Sequence, residues 1–197
     1  MLKSRESSQN NPTFNIWLTP DKLSIHQYNN TAQIATLKGD YDEGIKALKE
    51  AIDLSEKQHF SAKDIGILWS NLGELYFKKN DTAQAIASYQ RAIAIHEPDL
   101  ASLEPLAVDY SNLAHIYLRT DTQQALEYFK KAWNILKDTA PHSKATLIAL
   151  KNIAELRFLS GDYERTRAAV KRGIELYEEI RPEFAVMEAE HENLVEL

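Results

Sequence analysis

Four asparagines, Asn30, Asn71, Asn112 and Asn152, recur at steps of 41, 41 and 40 residues. A carboxamide offers two N–H donors and a carbonyl acceptor. A column of such groups can satisfy the backbone of an extended peptide without reading its side chains. Each is accompanied by side chains that would share its helix face. His26, Asn29 and Gln33 flank the first, and Ser70, Glu74, Phe77 and Lys78 the second. Ser111, His115, Leu118 and Arg119 flank the third, and Lys151, Glu155 and Phe158 the fourth. Phe77, Leu118 and Phe158 suit apolar pockets. Lys78, Arg119 and Lys151 could pair with a carboxylate or an acidic ligand segment. Glu74 and Glu155 stand on the same face and oppose that reading.

Other chemistry is poorly provided for. The chain of 197 residues has no cysteine, which excludes thiol catalysis, disulfides and Cys-ligated zinc. Its six histidines, at 26, 59, 96, 115, 142 and 191, show no metal-ligand spacing, and His115 is the one on the asparagine-bearing face worth watching. No glycine loop of the phosphate-cradling kind is present. We expect no cofactor, no metal and no enzymatic activity. A net charge of −6 without a basic run argues against general nucleic-acid binding. No apolar run reaches the length of a membrane helix, and MLKSRESSQNNP lacks the apolar core of a signal peptide. A cytoplasmic location is the default, and export by a signal-less route would look the same.

The asparagines are positioned by a repeated pair of amphipathic stripes. Ile65, Leu68, Trp69, Leu72 and Tyr76 recur at helical spacing. Asn80-Asp81-Thr82 interrupts them with turn and N-cap chemistry, and Ala85, Ile86, Tyr89, Ala92 and Ile93 form a second stripe. Gly73 and Ala85 are small enough for two antiparallel helices to approach closely. The pattern returns as Tyr110-x2-Leu113-Ala114-x2-Tyr117 with Ala125, Phe129 and Ala132, and as Leu150-x2-Ile153-Ala154 with Gly161-Asp162-Tyr163, Val170 and Gly173. Upstream it is Tyr28, Ala32 and Ala35 with Gly39-Asp40-Tyr41, Leu48 and Ala51. The third turn is one residue short: Tyr117 to Ala125 spans eight positions where Tyr76 to Ala85 spans nine. The fourth repeat carries Arg157 and Thr166 where the second and third have Tyr and Ala.

The string Trp69-x2-Leu72-Gly73-x2-Tyr76, followed by Ala85-x3-Tyr89 and Ala92, resembles the tetratricopeptide repeat (TPR) signature. The 41-residue step and the Asn71-Leu72-Gly73 and Asn112-Leu113-Ala114 triplets resemble kinesin light chains and, more loosely, peptide-sensing TPR regulators of Gram-positive bacteria. The resemblance covers roughly residues 25–180. It implies an all-α fold, a right-handed superhelix of four antiparallel helix pairs plus a C-terminal capping helix. It also implies that the first helix of each pair lines a concave groove into which the asparagines point.

The expected layout is a flexible tail over 1–18 containing the apolar segment Phe14–Leu18, then a single TPR domain over 19–197. Repeats would span about 20–58, 61–97, 101–138 and 143–181, with the capping helix at 183–197 carrying Phe184, Met187, Leu194 and Val195. Phe14–Leu18 would cap the first repeat or dock in a groove. The expected function is a non-catalytic protein–protein interaction module, an adaptor, scaffold or regulator. It would bind a peptide or partner segment, with no nucleic acid and no membrane insertion. The alternatives are a self-assembling structural protein, a homo-oligomer, and a secretion chaperone or bacterial effector that uses the array for targeting.

Overall fold

The computed structural model describes the backbone of residues 20–195 and the side chains of residues 24–181; the segment Phe14–Leu18 lies outside the described residues. Eight α-helices follow one another: α1 Pro20–Lys38, α2 Tyr41–Lys57, α3 Ala62–Lys78, α4 Thr82–His96, α5 Leu103–Tyr117, α6 Thr122–Thr139, α7 Lys144–Leu159 and α8 Tyr163–Val195. Among the described residues there is no strand. Each odd-numbered helix packs on the even-numbered helix after it, so the helices form four hairpins.

The turns show why the chain folds back where it does. Asp40, Asp81, Asp121 and Asp162 cap α2, α4, α6 and α8, each accepting from the backbone N–H three residues on. This satisfies one donor that the first helical turn leaves orphaned. In three hairpins the residue before the aspartate is left-handed: Gly39 at φ 77°, Asn80 at 65° and Gly161 at 80°. The aspartate N–H then reaches back five residues, to the carbonyls of Ala35, Tyr76 and Arg157, which is the helix-ending motif that needs a positive φ. The third hairpin lacks this residue. Asp121 N–H bonds the Tyr117 carbonyl, four residues back, at 2.8 Å. The missing position is therefore the left-handed one, and the turn is tighter, as the spacing predicts.

The chain divides into two compact units between Phe60 and Ser61. In the first, α1 and α2 bury Ala32 and Ala35 together with Ile45, Leu48, Ala51 and Ile52. In the second, α4 packs on α5 and α6 on α7, so three hairpins stack in order. Leu106, Ala107 and Tyr110 of α5 meet Ala132 and Leu136 of α6 and Ala149 of α7. Phe129, fully buried, sits with Ala114, Ala125, Ile153 and Leu156. Full burial of a side chain such as Phe129 or Leu113 contributes about 1.5–3 kcal/mol, enough over several layers to outweigh weak local helix propensity. Gly73 lies under the Tyr89 ring, where an added Cβ would come within 3.0 Å of ring carbons. That contact is the close helix approach expected of this glycine.

The C-terminal helix expected over 183–197 is present as far as Val195, but as a continuation of α8 and not as a separate element. Pro182 removes one backbone donor and restricts the residue before it. Neither effect interrupts the helix here.

Candidate functional site

The first helices of the second unit, α3, α5 and α7, place equivalent residues in register. Asn71 and Asn112 are half-buried, whereas Asn152 is buried, with its Nδ2 lacking a hydrogen-bond partner. On α1 of the first unit, Asn30 is exposed. The column is thus not uniform: the second and third members are partly open and the fourth is not. One turn before these asparagines stand Ile67, Val108 and Ile148, exposed at 36%, 49% and 43%. They occupy one repeat position on three successive first helices. Three large aliphatics left open at one position are harder to explain as packing than a single one would be. In the sequence they are hidden, because they fall on the same apolar periodicity as the core.

Ile67, Ser70 and Asn71 of α3 face Glu104 and Val108 of α5 across a cavity of about 470 Å³, with Lys63 also on its wall. It offers aliphatic side chains, the Ser70 and Ser143 hydroxyls and a carboxamide, with Lys63 and Glu104 as one cation and one anion and the His96 and Asp109 side chains also on its wall. That mixture suits a neutral, extended segment better than a strongly charged one.

The remaining predicted residues scatter. Lys78 is held by Glu74 at 3.0 Å on its own helix, which weakens the acidic-ligand reading. Phe77 and Arg119 are exposed. Leu118 is partly buried and packs on the Phe129 cluster, so it belongs more to the core than to a ligand pocket. His115 stacks edge-on against Phe129 at 5.1 Å. Burial, and then nearby Lys151, hold its pKa below the usual histidine value. Lys151, Glu155 and Phe158 line a different cavity, between α7 and α8. Among the described residues no three His, Asp or Glu side chains gather in a way that could hold a metal ion.

Two titratable groups buried against each other do not stand out in the sequence. His96, at the end of α4, is fully buried, and its Nδ1 meets Asp109 Oδ2 of α5 at 2.7 Å. Its Nε2 faces the Lys63 carbonyl of α3 at 3.2 Å. Both partners are acceptors, so only the doubly protonated imidazolium can donate to both. Burial opposes that charge, but the hydrogen bonds to Asp109 and Lys63 outweigh it and leave the His96 pKa raised. Burial likewise raises Asp109, against the His96 and Ser70 contacts that favour its charged form. The pair ties three helices together. Both ring nitrogens of His96 are thus engaged by groups of the chain itself.

A signal for this pair was present in the repeat register. His96 stands where Leu136 stands one repeat on, and Asp109 stands where Leu68 and Ala149 stand. Two polar departures at neighbouring core positions compensate each other. Gly66 is part of the same adjustment: a Cβ there would lie 2.1 Å from His96 Nε2.

Comparison with known proteins agrees with this architecture. The tetratricopeptide repeat model matches residues 25–97 and 64–138. The crystal structure of BtubC (BKLC) from P. vanneervenii superposes with a TM-score of 0.70 at 17% identity, over 85% of this chain and 68% of that one. The putative kinesin light chain structure from Podosopora anserina, with nearly identical TPR-like repeats, superposes at 0.66 and 16%, over 82% and 77%. A singly substituted form of the latter gives 0.64 and 15%, over 83% and 78%. No curated protein matches the sequence. The matched repeats, the hairpin register and the shared fold lead to one conclusion: the chain belongs to the tetratricopeptide repeat family.

Proposed function

We propose that the chain is a non-catalytic interaction module whose α3–α5–α7 face binds an extended peptide or partner segment. The observation that carries this reading is the repeated open position Ile67, Val108 and Ile148 beside the half-buried Asn71 and Asn112. Aliphatic contacts would supply affinity, and the carboxamides would hold the ligand backbone. The mutual neutralisation of Lys78 and Glu74 supports a ligand of low charge. Cytoplasmic adaptor, scaffold and regulator are narrower roles within this reading; a secretion chaperone or bacterial effector that uses the array for targeting is an alternative to it. Among the described residues no helix is long and apolar enough to cross a membrane.

The test is selection of random peptides displayed against the full chain, in parallel with the Asn71→Ala/Asn112→Ala variant. Sequences enriched on the wild type and lost on a variant of unchanged melting temperature support the reading. Equal enrichment on both moves binding to another surface.

A further inference from the structure

The last hairpin repeats the packing surface of the inner ones without a layer upon it. Along α4 the row Ala85, Tyr89, Ala92 and His96 is buried, and along α6 the equivalent row Ala125, Phe129, Ala132 and Leu136 is buried. In both cases the first helix of the next hairpin lies over it. The same row on α8 is Thr166, Val170, Gly173 and Tyr177. Here Val170 is 46% exposed, Tyr177 48% and neighbouring Ile174 59%. With Leu147, Leu150 and Phe158 of α7 they line a mostly apolar cavity of about 620 Å³. Its floor keeps the small residues Ala154, Ala169 and Gly173 at which a further helix would seat.

The chain contains a helix of suitable chemistry. α8 continues to Val195, some 14 residues beyond Arg181, or about 20 Å at 1.5 Å per residue. The sequence of that extension places Phe184, Met187, His191 and Leu194 at helical spacing. Residues 183–197 hold five glutamates and no lysine or arginine. The earlier part of α8 is mixed: Arg165 and Arg172 pair with Asp162, Glu175 and Glu179 of the same chain, and Glu164 stands near the start and Glu155 beside Lys151 on α7. Arg167 and Lys171 are the exposed cations that the glutamates of an extension could meet. Covering its own face would require the extension to break from α8 near Pro182, and α8 is unbroken there.

We propose that two copies of this chain pair through this face. The α8 extension of each copy lies antiparallel on α7 and α8 of the other, in the place that the next first helix takes in the inner hairpins. Such an arrangement is two-fold symmetric and closes on itself, because each copy offers both the face and the helix. It brings the glutamates of one extension beside Arg167 and Lys171 of its partner. The cavity near Asn71 plays no part in it.

Sedimentation equilibrium of the full chain from roughly 1 to 100 μM tests this. The wild type is expected to approach the mass of two chains. Ile174→Glu, at an exposed position that folding tolerates, is expected to weaken pairing at least tenfold. Lys171→Glu is expected to weaken it as well, and added salt to weaken the wild type. The mass of one chain at every concentration would overturn the proposal, including the case in which each copy covers its own face. So would a dimer that survives both substitutions, with circular dichroism confirming that both variants are helical.

Discussion

Replacing Gly66 with alanine should unfold the second unit more easily, although alanine is the better helix former. An exposed mid-helix Gly→Ala exchange gains up to about 1 kcal/mol. At Gly66 the new Cβ would sit 2.1 Å from His96 Nε2, 2.5 Å from Cδ2 and 2.7 Å from Cε1. Ordinary carbon contacts lie near 3.5–4.0 Å, so the ring must retreat by more than about 1 Å. It has nowhere to go, since it is fully buried and held by Asp109 at 2.7 Å and the Lys63 carbonyl at 3.2 Å. Overpacking of this kind costs about 1–3 kcal/mol, and separating a buried charged pair about 3–5 kcal/mol. Part of each penalty is relieved by the other, which leaves a net loss of roughly 2–5 kcal/mol. Gly173→Ala, read at a concentration where the chain is a monomer, is the internal control. Its nearest neighbour would be Leu147 Cδ1 at 3.8 Å, an ordinary contact, so this variant should gain about 0.4–1 kcal/mol. Urea unfolding of the two variants beside the wild type reads both signs. A Gly66→Ala chain as stable as the wild type would refute the packing argument.

The pH dependence of stability should carry the mark of the same pair. His96 stands above its ordinary 6.5 in the folded chain, so its contribution is complete below 6.5 and is lost as pH rises through the folded value. Asp109 is raised too and acts with the same sign. His115, lowered by burial and Lys151, has the opposite sign: its contribution is present above 6.5 and fades as pH falls through its folded value. Unfolding free energy should therefore decline in the wild type as pH rises past 6.5 and through the raised value, and His96→Gln should flatten that slope; parallel slopes would remove the pair as its source. Trp69 is partly buried, with its Nε1 enclosed, so Trp69→Ala should cost about 3 kcal/mol, the low end for loss of a packed aromatic. A loss below about 1 kcal/mol in thermal or urea unfolding would mean that Trp69 does not anchor its hairpin.

The hairpins are legible in the sequence because their signals are local. Asp40, Asp81, Asp121 and Asp162 cap helices whatever packs on them, and the one-residue deficit before Ala125 translates directly into a missing left-handed turn residue. The His96–Asp109 pair is not, because each residue taken alone is a polar interruption of an apolar stripe. Only alignment of His96 with Leu136 and of Asp109 with Leu68 and Ala149 shows that the interruptions face each other. Ile67, Val108 and Ile148 escape notice for the converse reason: an aliphatic at helical spacing looks like core until its neighbours fail to cover it. Pro182 suggests a helix boundary from its missing N–H, yet one lost hydrogen bond does not end α8. The asparagine column is visible by spacing, but the burial of Asn152 depends on packing that spacing cannot show.

Asn71 and Asn112 are proposed to hold a peptide backbone on the α3–α5–α7 face. The most direct test of this is the affinity, by fluorescence polarisation, of one display-selected peptide for the wild type and for Asn71→Ala/Asn112→Ala. Two amide contacts at about 1–1.5 kcal/mol each predict a loss of roughly 2–3 kcal/mol, or about 30- to 150-fold in Kd, with the melting temperature unchanged. An unchanged Kd would mean that neither carboxamide holds the ligand.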